Sequence, residues 1–335
     1  MWRKTISGGA AALAVWTVSA GTAAAHGWLF KLHGWPFAPS WGEAQLVAPG
    51  ENGVSKPGVS DGCPIETADG LSLVFASNRE GDPNNIWAAD RARIGDEWSE
   101  PRVLDAPVNS PAGDFCPTPV RGRSLLFVST RPGACPGEQP SGGDIYLSRQ
   151  SPAGGWSEPV HLGCAPDGPN TAGGERSPSL VETPYGTFLF YSTNGNAADG
   201  SVVPGATQDI HVSVMRSDGT FGPGRPIGAL STPDFEDIMP NVRERAEGGY
   251  EMVFSSNRTS SPLGPAPKGG QDVYMSFAWF LPGPWTPPVN LGAVNTDATE
   301  QRATLSHDGK RLYFGRVPAG GTSDIYVSER QRDRR

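Results

Sequence analysis

With 335 residues, 35 acidic against 27 basic side chains and a net charge of −8, the chain is acidic and dense in turn formers, carrying 44 glycines and 33 prolines. An acidic surface repels phosphate backbones, which excludes nucleic acid as a partner. No stretch beyond the first 25 residues is apolar and long enough to span a bilayer.

Residues 1–25 read as a secretory signal peptide: Arg3 and Lys4 open it, an apolar and small-residue run follows from Ile6 to Ala20, and Ala23-Ala-Ala25 offers the cleavage site. Its removal takes the charge from −8 to −10, since Arg3 and Lys4 leave with it. Residues 26–40 are expected to form a tether. Cleavage after Ala25 would leave His26 at the amino terminus, where amine and imidazole can chelate copper together, with His33 nearby. The rest of the chain does not resemble copper monooxygenases, so the tether reading is preferred and no metal or cofactor is expected.

From Trp41 onward one pattern recurs roughly every 60 residues. Its first copy has Asp61, a run ending at Phe75, then Arg79, Asn85-Ile-Trp87 and Trp98-Ser-Glu-Pro101. The second has Asp114, Phe127, Arg131, Asp144-Ile-Tyr146 and Trp156-Ser-Glu-Pro159. The third has Glu175, Phe190, Asn194, Asp209-Ile-His211 and Phe221, and the fourth Asp237, Phe254, Arg258, Asp272-Val-Tyr274 and Trp285. The fifth has Glu300, Phe314, Arg316 and Asp324-Ile-Tyr326 but no tail. Length alone would allow two domains, yet so regular a repeat joins its units into one body spanning 41–335.

Each copy holds four strand candidates between Gly, Asp, Asn and Pro turns; in the first these are Cys63 to Thr67, Leu71 to Ser77, Asn85 to Ala89 and Glu97 to Leu104. Four-stranded units repeated about an axis make a β-propeller. The tail missing from the fifth copy stands ahead of the first, as Trp41-Gly-Glu-Ala-Gln-Leu46. The expected fold is therefore all-β, a five-bladed propeller of antiparallel blades whose N-terminal strand completes the last blade and hides the sheet edges. The Trp tails are expected to pack between blades rather than to stack on sugars.

Asn290 to Glu300, Leu305-Ser-His-Asp-Gly-Lys-Arg-Leu-Tyr-Phe314 and Asp324-Ile-Tyr-Val-Ser328 resemble the TolB-type propeller repeat of bacterial envelope proteins, also found ahead of OmpA-like peptidoglycan-binding domains. The resemblance spans about residues 41–329 and is weakest in the third copy. It implies a periplasmic or extracellular propeller that binds partners, and it brings no catalytic residues. No OmpA-like domain is expected after the repeats.

Four cysteines in an exported chain favour two disulfides. Cys63 and Cys116 hold one repeat position and Cys135 and Cys164 flank the second repeat, which favours 63 with 116 and 135 with 164. The two other connectivities stay open.

Strand order places Asp61, Asp114, Glu175, Asp237 and Glu300 on one face with Arg79, Arg131, Arg258 and Arg316, among the longest loops (132–143, 195–208 and 259–271). Five carboxylates could bind a cation or hydrolyse a sugar. A repeat, however, supplies like environments where acid and base chemistry needs unlike ones, so pairing of each acid with its own blade's Arg is the favoured reading. Asp144, Asp209, Asp272 and Asp324 are read as turn caps.

Function is expected where the symmetry breaks: Asn194 in place of an Arg, Arg176 beside Glu175, His211 in a Tyr place, Glu236 doubling Asp237, and Met239 and Arg302 in the cysteine position. An Arg302 facing the channel requires a carboxylate from the protein or from a ligand, with Glu300 or Glu236 as the internal partner. The candidate ligand-binding set is Glu175, Arg176, Glu236, Asp237, Glu300, Arg302, Asp61 and Asp114. No nucleophile elbow, P-loop or dinucleotide fingerprint appears, and His161, His211 and His307 show no zinc spacing. The expected function is an exported, monomeric binding module for an envelope protein, peptide or glycan; the alternative is a carbohydrate-active, glycoside hydrolase-like enzyme using carboxylates on the channel face.

Overall fold

The computed structural model describes residues 39–132, 135–137, 142–195, 199–232 and 234–331. The expected leader, His26, His33 and the tether up to residue 38 lie outside the described residues. Among the described residues every regular element is a strand, and no helix is long and apolar enough to cross a membrane.

The first blade consists of β2 (Asp61–Glu66), β3 (Ser72–Ser77), β4 (Asn85–Asp90) and β5 (Arg102–Val103). The second is β6 (Asp114–Val120), β7 (Ser124–Ser129), β8 (Asp144–Arg149) and β9 (Val160–His161). The third is β10 (Glu175–Thr183), β11 (Gly186–Thr193), β12 (Asp209–Val214) and β13 (Arg225–Pro226), and the fourth β14 (Asp237–Glu244), β15 (Tyr250–Ser256), β16 (Asp272–Ala278) and β17 (Val289–Asn290). The fifth takes β18 (Thr299–Leu305), β19 (Arg311–Val317) and β20 (Asp324–Glu329) from one end of the fold and β1 (Gln45–Leu46) from the other. Gln45 pairs with Val327 and Leu46 with Tyr326, the expected closure by the N-terminal strand.

Each inner strand is tied to the preceding blade by the same bond. The N–H groups of Asp61, Asp114, Glu175, Asp237 and Glu300 donate to the carbonyls of Ser323, Asn84, Gly143, Gln208 and Gln271 at 2.6–2.9 Å. The bond from Asp61 to Ser323 joins the first blade to the fifth, so the ring is closed at its seam as elsewhere. Apolar clusters fill the gaps between blades: Phe190, Phe254 and Trp285 between the third and fourth, and Phe75, Trp87, Tyr313 and Ile325 between the fifth and first.

Outer strands are shorter than expected. β5 is a two-residue pairing of Trp87 with Val103 and Ala88 with Arg102, while the Trp-x-x-Pro tail ahead of it touches the third strand at a separate point, the Ser99 N–H donating to the Asp90 carbonyl at 2.7 Å. Trp98 lies against Arg91, 4.1 Å from guanidinium carbon to ring centroid, and Trp285 meets Phe190 of the third blade edge to face at 6.0 Å. Blade packing therefore accounts for the Trp positions, as expected.

Every inner strand also carries one bulge. Its marker is a non-glycine residue with positive φ at the same repeat position: Cys63, Cys116, Ser177, Met239 and Arg302, all between 48° and 59°. Left-handed backbone at a side-chain-bearing residue costs energy, and its repetition on all five axial strands ties it to the packing of the axis.

Candidate functional site

Four of the five inner-strand carboxylates are bound to their own blade's arginine. Asp61 receives Arg79 Nη2 at 2.6 Å and Asp114 receives Arg131 Nη2 at 2.7 Å. Arg316 Nε donates to Glu300 Oε1 at 2.8 Å, and Arg258 donates to Asp237. The second oxygen is met from four or five residues upstream, as when the N–H and hydroxyl of Ser110 donate to Asp114 and those of Thr232 to Asp237. Each arginine in turn lies over two rings, the Phe of its second strand and the aromatic of its third: Phe127 and Tyr146 for Arg131, Phe254 and Tyr274 for Arg258. The repeated Asp, Phe, Arg and Tyr are thus one interlocked unit holding the loops of a blade.

Glu175 breaks the unit. It pairs with Thr193 as Asp61 pairs with Ser77, so the residue equivalent to Arg79, two positions beyond, is Gly195 rather than the expected Asn194. A side chain cannot stand there, since a Cβ on Gly195 would come 2.1 Å from Thr171 Oγ1. Thr171 instead fills the space and donates to Glu175 Oε1 at 2.6 Å. The other oxygen, Oε2, is buried without a hydrogen-bond partner among the described residues. Burial raises the Glu175 carboxyl well above the usual carboxylate range, with the Asp144 charge adding to the push against the Thr171 hydrogen bonds. Burial raises Glu300 as well, but there the Arg316 guanidinium opposes it.

Glu175 opens onto a pocket of about 290 Å³ lined also by Arg176, Asn194, Gln208 and the pairs Gly142-Gly143 and Gly173-Gly174. The glycines let two loops approach closely: a Cβ on Gly174, at φ 73°, would lie 2.7 Å from Gly142 Cα. Asn194 Oδ1 and Gln208 Oε1, which line the same pocket, are buried and have no hydrogen-bond partner among the described residues. Three acceptor oxygens therefore converge on one small space, a set suited to the hydroxyl donors of a polyol. Arg176 is half-buried at the same pocket; burial lowers its guanidinium from its usual value and the Glu236 charge counters this. Glu236, also half-buried, accepts from Gln271 Nε2 at 2.8 Å.

The structure thus divides the expected set. Asp61, Asp114, Asp237 and Glu300 are structural pairs, whereas Glu175 and Arg176 share the pocket and Glu236 carries the charge that offsets Arg176. Arg302 has neither expected partner, because Glu300 is taken by Arg316 and Glu236 by Gln271. His211 is a core residue that burial holds down at about 4, so it stays neutral. Asn194 carried a signal in the third repeat, but the pocket-lining role of Gln208 and of the glycine pairs is visible only once the blades are assembled.

Both favoured disulfides are formed, Cys63 with Cys116 between the first two blades and Cys135 with Cys164 beside the second. Cys135, His161 and Cys164 bring their ligand atoms within 4.8 Å of one another. Both sulfurs are committed to the disulfide and His161 Nε2 lies 2.9 Å from Asp144 Oδ2, so this cluster is occupied by its own bonds. A wider cavity, about 700 Å³, lies at the opposite face among the first-hairpin turns, where Arg121 meets Glu182 and Arg243 meets Glu251.

No family model and no curated protein matches the chain; the TolB-type resemblance rests on the quoted motifs alone. Solved structures do match. An α-L-arabinofuranosidase from Podospora anserina in complex with cellotriose superposes with a TM-score of 0.55 at 13% identity, covering 88% of this chain and 97% of that one. An endo-arabinase from Bacteroides thetaiotaomicron gives 0.53 at 12%, covering 87% and 99%, and a family-43 endo-arabinanase from Bacillus licheniformis 0.52 at 13%, covering 84% and 97%. At such identity the likeness establishes the fold. It also corrects the expectation of a non-enzymatic binding module: these full-length matches are glycoside hydrolases, and the hydrolase alternative is the one they favour.

Proposed function

We propose that the chain is a glycoside hydrolase with Glu175 as its general acid and Glu236 as its second carboxylate. The observation that supports this is the broken symmetry of the third blade. Of five equivalent inner-strand acids, one lacks an arginine, has its carboxyl raised well above the usual carboxylate range by burial and opens onto a pocket whose acceptors have no partner among the described residues. Glycoside hydrolysis needs two carboxyl groups in unlike states, one protonated and one ionised. Glu175 protonates the leaving glycosidic oxygen as the C–O bond breaks, and water supplies the hydroxyl to the anomeric carbon. Glu236 is the second carboxylate of the pair and accepts the proton that the attacking water gives up. The oxygens of Asn194 and Gln208 orient sugar hydroxyls.

The names of the matching structures supply the first substrates to assay, arabinan and aryl arabinofuranosides, in a panel with other glycosides. An exported site of action, periplasmic or extracellular, fits the two disulfides. The expected result is sugar release that falls about 10²–10⁴-fold in Glu175→Gln. Absence of turnover across the panel, or turnover that Glu175→Gln leaves intact, would refute the assignment.

A further inference from the structure

Arg302 is among the largest fully buried side chains, only 1% exposed. It stands on β18 of the fifth blade, yet its Nη2 donates to the Pro117 carbonyl at 3.3 Å and to Thr118 Oγ1 at 3.0 Å on β6 of the second. These two blades are not neighbours in the ring, so the guanidinium reaches across the propeller axis. Both partners are neutral. Nε and Nη1 are buried with no hydrogen-bond partner among the described residues.

The four positions equivalent to Arg302 offer no counter-charge. Cys63 and Cys116 are joined in a disulfide, Met239 is apolar, and the Ser177 hydroxyl donates to Cys116 Sγ at 3.4 Å. Thr118 Oγ1 already donates to the Pro178 carbonyl, and Thr304 Oγ1 to that of Pro64. Burial brings the Arg302 guanidinium down to about 9 with no charged neighbour acting on it, which leaves it cationic at neutral pH. A buried, unpaired charge is among the costliest features a fold can carry.

We infer that the propeller axis binds a small inorganic anion of the halide class, held by the Nε and Nη1 donors of Arg302. A monatomic ion suits a guanidinium that is closed over on all sides, and it cancels the charge as a neutral water cannot. The site is distinct from the Glu175 pocket and does not depend on the hydrolase reading.

The test uses bromide and chloride as probes. Crystals of the unaltered protein soaked in sodium bromide should show an anomalous peak at the bromide edge within hydrogen-bonding reach of Arg302 Nε or Nη1. In solution, thermal unfolding in sodium chloride at ten times its Kd should exceed that in sodium gluconate of equal ionic strength by about 2–4 °C. Arg302→Met should abolish that difference. If this variant does not fold, the anomalous map of the unaltered protein decides alone. Ordinary waters on both nitrogens with no anomalous signal, or a chloride effect retained in Arg302→Met, would overturn the inference.

Discussion

Asp114 and Glu175 begin neighbouring inner strands and are equally buried, yet substitution should act on them in opposite directions. Arg131 neutralises Asp114, so Arg131→Met strands a buried carboxylate and should cost about 3–5 kcal/mol in denaturant unfolding. Glu175 has no such cation, and its folded pKa lies above the unfolded value. Below about 4.5 both states hold the proton and its stabilising effect is complete. As pH rises beyond that, the unfolded chain releases its proton before the folded one does, so stability falls until the folded pKa is passed. Glu175→Gln should remove this slope, leaving the protein as stable or more stable at pH 7 while activity is lost. A Glu175→Gln protein that melts well below the parent at pH 7 would show that the carboxylate serves the fold, as its four counterparts do.

At the scale of the strand, β1 is two residues long but closes the ring. The Val47 N–H donates to the Ile325 carbonyl at 2.9 Å, the Gly42 N–H to that of Glu329 at 2.8 Å, and buried Trp41 bridges Arg330. A chain lacking residues 1–48 leaves the edge of β20 unpaired, and exposed edges recruit other edges. It should elute as oligomers in size-exclusion chromatography, and a peptide of residues 39–48 should return it to monomer. A truncated chain that stays monomeric and melts like the parent would remove β1 from the closure. The closing strand was legible because the Trp41 tail is the one the fifth repeat lacks. The Asp and Arg pairs were legible for the same reason, since each recurs with its Phe and Tyr. Less legible was the site: sequence spacing placed Asn194 in the Arg position, while the ladder register places Gly195 where Arg79, Arg131 and Arg258 stand, and the fifth blade's Arg316 reaches Glu300 from directly opposite. Arg302 was visible as a deviation, but that it reaches the second blade depends on the closed ring. The binding-module reading failed because the repeat describes what the blades share, and the proposed chemistry lies in the blade that departs from it.

Across the whole molecule the two faces are secured differently. Both disulfides belong to the first two blades on the face of the Glu175 pocket: Cys63 with Cys116 closes 53 residues across a blade boundary, and Cys135 with Cys164 closes 29 within the second blade's surroundings. By loop-closure entropy each contributes about 4 kcal/mol, with the longer loop slightly ahead. The remaining seams of the ring rely on apolar clusters and on the N–H to carbonyl bonds that begin the inner strands. Reduction should therefore loosen the molecule unevenly. With dithiothreitol the melting temperature should fall, and limited proteolysis should gain cuts between residues 104 and 175 while the fourth and fifth blades keep their protection. Cys63→Ser with Cys116→Ser should reproduce the loss at the first seam without reductant. The pocket lies between the second and third blades, its walls set by Gly142, Gly143 and Gly174 against one another. Movement at that seam should weaken substrate binding before the fold is lost. An unchanged cleavage pattern and melting temperature under reduction would mean that the closed ring alone holds this face.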